Sequence, residues 1–355
     1  MEKFKGLKDL LKTLISIKSV SGFEQSIQDF IEKWLRKQCL YPIKQYVEGK
    51  RYNLFLRGES PYLISCHVDT VPPLGMKDPY LPKEVGNRIY GRGSADVKGS
   101  IAALLKAIEI FKNKYPHKNL PFSLAFVVDE ENNSALGSEK IIELLKKEKF
   151  CLVLEPTYGM LCTSQMGSLE FSLTVEGPSA HASEFEKVKN PIKVLIGLVN
   201  KLEKLFNRQV NFIMIKGGSL HYIVPKKCFA LLEIKIKKGE SWKEMETLIR
   251  EIVKDFDKEC KITFRAEDGE DFISFSDEDF ISFLEETHFE ALGRKPVRGT
   301  MPSWTDAANY HKAGLSCAIF GYGSLKDSHT ERENISLEDL ECMTSFLLAL
   351  FEKLR

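Results

Sequence analysis

The chain has 355 residues, 43% of them apolar, which suits a globular protein with room for two domains. Its 51 basic and 50 acidic side chains leave a formal net charge of +1, so no charge surplus points to nucleic acid or an anionic membrane as partner. No apolar run approaches the roughly 18 residues of a membrane-spanning helix, and the eight cysteines are scattered without a C-x-x-C pair, the pattern of reduced thiols in a cytoplasmic protein.

Phe4, Leu7, Leu10, Leu11 and Leu14 have helical spacing, and Glu2, Asp9 and the lack of a small-residue cleavage site favour a packed helix over a targeting peptide. Ser21-Gly22-Phe23-Glu24 reads as a capping box opening a helix whose apolar stripe is Ile27, Phe30, Ile31, Trp34 and Leu35. Strand signals follow at 53–56 and 62–66, the second running into His67-Val68-Asp69. Residues i and i+2 of a strand share a face, so Asp69 is expected to orient the ring of His67, as carboxylates do for metal-ligating histidines. Cys66 then points to the opposite face, a core position rather than a nucleophile.

The loop Gly91-Arg92-Gly93-Ser94-Ala95-Asp96-Val97-Lys98-Gly99 sets an acid in a glycine-rich turn before an apolar helix that runs to about 112. It lacks the G-x-x-x-x-G-K-[ST] spacing of a phosphate cradle, and Asp96 would repel a phosphate. A buried strand at 122–128 ends in Asp129-Glu130-Glu131, two acids of which would repel each other without a cation nearby. A helix at 137–147 leads to a strand at 151–154, which ends in Glu155-Pro156. Strands alternating with helices predict a three-layer α/β domain with a mostly parallel sheet, whose sites gather at the carboxyl ends of the strands. His67, Glu130, Glu131 and Glu155 would therefore converge.

From about Thr163 the pattern changes: a strand at 169–175, a helix at 191–205, strands at 210–215 and 228–236, a helix at 243–256 and a strand at 261–265. This β-α-β-β-α-β order predicts a ferredoxin-like α+β domain, 163–271, inserted into a discontinuous catalytic domain, 1–162 and 272–355. Helices at 277–292 and 337–354 bracket Gly321-Tyr322-Gly323 and His329.

A two-metal hydrolase needs carboxylate and neutral imidazole ligands, a carboxylate shared by both ions, and a free carboxylate to take a proton from water. His67, Asp96, Glu131, Glu155 and His329 are the candidate ligands and Glu130 the candidate general base. The ordered motifs Ser65-Cys66-His67-Val68-Asp69, Tyr90-Gly91-Arg92-Gly93 through Gly99, Asp129-Glu130-Glu131, Leu154-Glu155-Pro156-Thr157, Gly177-Pro178-Ser179-Ala180-His181 and Asp327-Ser328-His329-Thr330 resemble, over nearly the whole chain, the zinc-dependent metallopeptidase and deacylase family of acetylornithine deacetylase, succinyl-diaminopimelate desuccinylase, aminoacylase and glutamate carboxypeptidase.

The resemblance implies two Zn2+ ions, with Co2+ or Mn2+ as alternatives. His67 and Glu155 would hold one ion, Glu131 and His329 the other, and Asp96 would bridge them. It further implies that the inserted domain forms a homodimer and that His181 reaches the partner's site to stabilise the oxyanion; the competing reading of His181 is a turn residue capping a helix. Substrate contacts are assigned to Tyr222, Lys235 and Gly323. Tyr222 stands where the family often has Asn, and Lys235 where it commonly has a carboxylate-binding Arg, whose bidentate fork a lysine cannot reproduce. The expected activity is hydrolysis of the amide bond of an N-acylated amino acid, acetylornithine deacetylase-like, with aminopeptidase, dipeptidase or carboxypeptidase action as the alternative. A non-catalytic binding protein is the competing class.

Overall fold

The computed structural model describes residues 4–132 and 135–355. The chain divides into two compact units, each with its own apolar core. The first takes the chain up to Ser164 together with Ser274–Met301 and Thr305–Arg355, and the second takes Gln165–Ile273 with Pro302–Trp304.

The first unit is built on a mixed, nine-stranded sheet. Its order is Ile43–Glu48, Arg51–Leu56, Ser123–Val127, Tyr62–His67, Phe150–Leu154, Ser316–Phe320 and Leu161–Gln165, and two short strands complete it beyond the last. The four central strands are parallel, with His67 opposite Val127 and Ser65 opposite Val153, and antiparallel strands flank them. All five residues of Ser123–Val127 are buried, so both faces of that strand are covered, as a parallel sheet requires. Helices Leu7–Ser16, Lys98–Lys114, Glu278–Leu292 and Leu337–Lys353 pack with one another and supply most of the covering apolar surface. A separate three-stranded ladder pairs Asn334–Ser336 with Arg88–Tyr90, and Arg88–Tyr90 with Lys83–Val85.

The second unit is a four-stranded antiparallel sheet ordered Asn211–Gly217, Lys227–Ile236, Gly167–Glu176, Lys261–Glu270, with helices Pro191–Phe206 and Trp242–Lys254 packed on it. Gly167–Glu176 alternates buried and partly exposed residues over most of its length, and its buried side chains Leu169, Phe171, Leu173 and Val175 meet Leu195, Leu198 and Leu202 of the first helix in one core. Taken in chain order, the first strand, Gly167–Glu176, lies inside the sheet between the third and the fourth, the β-α-β-β-α-β arrangement with strand order 4-1-3-2.

Two local expectations change. The helix expected over 137–147 is one short turn of α-helix, Leu136–Ile141, and a 3-10 turn, Ile142–Leu144. The Glu148 carboxylate accepts the N–H groups of Lys146 and Lys147 and draws them out of any helical ladder. Ser21 does not cap a helix: Gln25–Lys37 starts behind Glu24, whose carboxylate takes the Gly22 N–H and pairs with Arg51. The Ser21 hydroxyl instead donates to Asp69, 2.7 Å away.

Candidate metal centre

The three neighbouring parallel strands Ser123–Val127, Tyr62–His67 and Phe150–Leu154 end on the same side of the sheet, and each is followed by an acid or imidazole at that end. His67 is the last residue of its strand and is buried. Its Nδ1 lies 3.1 Å from the main-chain oxygen of Asp69, a contact that in the neutral ring keeps the proton on Nδ1 and leaves the Nε2 lone pair for a ligand bond. That Nε2 faces Asp96 Oδ1 at 3.2 Å and Glu155 Oε1 at 3.8 Å.

The strand stops at His67, and Asp69, two residues beyond it, still sets its carboxylate toward the ring. The Asp69 carboxylate stands 3.7 Å from His67 Nδ1 and spends its hydrogen bonds elsewhere. Its oxygens accept the Glu130 N–H at 3.2 Å, the Glu131 N–H at 3.0 Å and the Ser21 hydroxyl. Asp69 thus ties the His67 strand end to the turn that carries both glutamates. On the far side of that turn, Arg51 pairs with Asp129 and with buried Glu24.

Asp96 is buried in the glycine-rich loop that opens the helix Lys98–Lys114, and the peptide bond after it is cis. The loop depends on Gly93, whose φ of +83° is left-handed; a Cβ there would press Lys98 and Thr70 at 2.9 Å. The two oxygens of Asp96 face different histidines: Oδ1 meets His67, and Oδ2 lies 3.4 Å from Nε2 of His329. His329 Nε2 is also 2.8 Å from Glu131 Oε2. His67, Asp96 and Glu131 each offer a ligand atom, all within 4.8 Å of one another.

Charge and burial conflict here in the way that a cation resolves. Burial, then the charge of Asp96, pushes the Glu131 carboxyl up to about 7. Burial, only partly offset by His67, does the same for Glu155. Burial and Glu155 drive Glu130 well above the carboxylate range. Burial alone would lower both histidines, but the acids around them win: His67 rises well above its usual value and His329 to about 10. Despite burial, His329 and His67 hold Asp96 well below the ordinary aspartate range. Among the described residues, Glu131 Oε1 and Glu155 Oε1 are buried atoms with no hydrogen-bond partner, an arrangement that costs free energy unless something positive completes it. Two imidazoles and three carboxylates, two of these with an orphaned oxygen, are a donor set suited to two divalent ions of the zinc type.

Gly323 lies in the same unit with φ +113°, and a Cβ there would meet Ala95 Cβ at 3.2 Å, so it backs the Asp96 loop closely. His181, Tyr222 and Lys235 belong to the second unit. His181 is exposed and its Nδ1 accepts the Ser183 N–H, capping the 3-10 turn Ala182–Glu184 and assigning the ring proton to Nε2. Tyr222 is 84% exposed. Lys235 is paired with Glu233. Of the remaining histidines, His117, His221 and His311 are exposed and His288 is a core residue bonded to Arg294 and Tyr322.

Sequence reasoning missed Arg92, Glu333 and Asp306. Glu333 is fully buried, pairs with Arg92 and accepts the N–H groups of Ala95 and Asp96. Asp306 is a buried acid whose carboxyl is pushed to about 7 by burial. Glu333 and Asp306 come from distant sequence and carry no local motif, and Arg92, although it lies in the glycine-rich loop, finds its partner 241 residues away.

Residues 63–353 match the family model described as Peptidase family M20/M25/M40. The succinyl-diaminopimelate desuccinylase of Pelagibacter ubique is 26% identical over 369 residues, covering 94% of this chain and 95% of that enzyme. Among solved structures, human carnosine dipeptidase 1 superposes with a TM-score of 0.78 at 15% identity, covering 99% of this chain and 98% of the other. The Bacillus subtilis protein YXEP, described as a dinuclear metal-binding peptidase, gives 0.71 at 14% identity, covering 99% of both chains.

Proposed function

This chain belongs to peptidase family M20/M25/M40 and is a hydrolase of amide or peptide bonds, and from that premise we propose that it is a two-zinc deacylase of N-acylated amino acids. The observation that carries the reading is Asp96, whose two oxygens each face one of two histidines, with Glu155 beside the first and Glu131 beside the second. His67 and Glu155 would hold one ion, Glu131 and His329 the other, and Asp96 both. When bound, the ions would supply Lewis-acid polarisation of the scissile carbonyl and a more acidic water.

The chain's own residues then divide the work. Glu130, held at its backbone by Asp69, takes a proton from the attacking water on its carboxylate and returns it to the departing amine. A raised carboxyl suits a group that must accept and then donate a proton near neutrality. The Nε2–H of His181, directed outward by the Ser183 bond to Nδ1, is a ready donor to an oxyanion.

We assign that oxyanion to the site of a second copy, with the second unit as the dimerisation domain. Asn211–Gly217 is an edge strand with Phe212, Ile213 and Ile215 exposed, a surface that isologous pairing with its own copy would cover. Tyr222, Lys235 and Gly323 remain the assigned substrate contacts; Lys235 would have to leave Glu233 to meet a substrate carboxylate.

The first-choice substrate is N-acetylornithine, and the name of the Pelagibacter relative supports placing N-succinyl-diaminopimelate beside it. A zinc-loaded preparation assayed by kcat/KM on both, on an acyl-lysine and on dipeptides tests the reading. Turnover of dipeptides with none of the acyl-amino acids would replace the deacylase by a dipeptidase, the activity in the name of the human neighbour.

A further inference from the structure

Asp96 can serve two ions only if its carboxylate is held edge-on between the histidines, yet among the described residues its side chain shows no bond except to those histidines. What fixes it is the main chain. Glu333 Oε1 accepts the N–H groups of Ala95 and Asp96, each at 3.1 Å. Its other oxygen takes Arg92 Nη1 at 2.6 Å, and Arg92 Nη2 reaches the carbonyl of Pro73 at 2.8 Å. Both side chains are buried, Arg92 at 1% exposure and Glu333 at 0%. The backbone repeats the link: Gly91 N–H bonds the Glu333 carbonyl, and the ladder of Asn334–Ser336 with Arg88–Tyr90 begins one residue beyond each. Glu333 also follows His329 by four positions, so one carboxylate joins the loop of the shared acid to the loop of the second histidine.

We infer that the buried Arg92–Glu333 pair is a positioning device that sets the Asp96 carboxylate for simultaneous contact with both ions. This rests on the shared role proposed above for Asp96. A buried ion pair is a poor source of stability, since desolvating two charges offsets most of their attraction, so its retention here is explained better by geometry than by fold strength. Glutamine cannot replace Glu333. The amide has one acceptor oxygen, whereas donors approach both Glu333 oxygens, so either flip turns an NH2 toward an N–H or a guanidinium.

Glu148 provides a control with the same chemistry at the other end of the sheet. It precedes the strand Phe150–Leu154, accepts two backbone N–H groups and the Ser123 hydroxyl and pairs with Arg57, and among the described residues it bonds to none of the site residues. The experiment loads wild type, Glu333→Gln and Glu148→Gln with zinc. Bound zinc is counted by mass spectrometry and its retention followed against graded chelator, with denaturant midpoints measured on the same samples.

Outer residues that orient metal ligands are worth about 10–100-fold in affinity, so Glu333→Gln should release zinc about 10–100-fold more readily than wild type. Glu148→Gln should lose stability and keep the wild-type retention curve. Wild-type retention in Glu333→Gln, or an equal shift in Glu148→Gln, overturns the inference. A wild type that never takes two ions instead overturns the shared role of Asp96. If Glu333→Gln does not fold, Arg92→Lys, which keeps the charge but loses the fork, is judged by the same curve.

Discussion

Asp69→Asn is the substitution with the most to say about how the site is held. The carboxylate accepts three hydrogen bonds, from Glu130 N–H, Glu131 N–H and the Ser21 hydroxyl, and is fully buried. Asparagine keeps the shape but has one acceptor. Its better flip puts that oxygen where Oδ2 receives both Glu131 and Ser21, which leaves the NH2 opposed to the Glu130 N–H and near His67 Nδ1. One charge-assisted bond is lost and one buried donor is orphaned, for a cost of about 1.5–3 kcal/mol. The loss falls on the backbone of the base, so turnover should drop about 10–100-fold, the usual effect of removing an outer partner of a metal site. Denaturant unfolding with zinc bound gives the stability change, and kcat on the best acyl-amino acid gives the other. Ser21→Ala removes a single bond to the same carboxylate and should give a smaller shift in the same direction. Wild-type kcat in Asp69→Asn, or a larger loss in Ser21→Ala, would refute the placement of Asp69 as the anchor of the Glu130–Glu131 turn.

Glu130→Ala should retain both zinc ions by mass spectrometry while kcat falls about 10²–10⁴-fold, the range for a positioned proton-transfer group. His181→Ala should lower kcat about 10²–10³-fold, as for loss of an oxyanion donor. Mixing it with Glu130→Ala under conditions that reshuffle subunits should restore about a quarter of wild-type activity, because half the dimers are mixed and each has one intact site; no recovery would place His181 outside the partner's site. The metal-free protein should lose stability as pH rises from about 5 to about 7. Glu131 and Glu155 are pushed by burial to about 7 from 4.5, and His329, despite burial, is raised by Asp96 and Glu131 to about 10 from 6.5, so all three hold more protons folded than unfolded. Lys98, pushed down to about 7 by burial, opposes the trend only above that pH. Zinc saturation should flatten the profile, and a metal-free midpoint that rises over this range would contradict the site's charge balance.

The parts legible in the sequence are those whose physics is local. An apolar run that stops at an imidazole or an acid announces a strand end, and Tyr62–His67, Ser123–Val127 and Phe150–Leu154 were read within a residue or two. The two cores follow from the same patterning. What escaped are contacts whose partners are far apart in the chain: Arg92 with Glu333 across 241 residues, Arg51 with Asp129 across 78, Ser21 with Asp69 across 48. Ser21 was visible but carried a local explanation, a helix cap, that tertiary structure overrode. The edge strand Ile43–Glu48 and the three-stranded ladder at Lys83–Val85 are short and partly or fully exposed, and leave no apolar alternation to find.

The central claim is that one aspartate serves two ions. A crystal structure of the zinc-loaded protein, with anomalous data at the zinc edge, tests it most directly. The account predicts two peaks about 3.5–4 Å apart, one Asp96 oxygen on each, with His67 and Glu155 on one ion and His329 and Glu131 on the other. A single ion, or two ions that do not share Asp96, would contradict it.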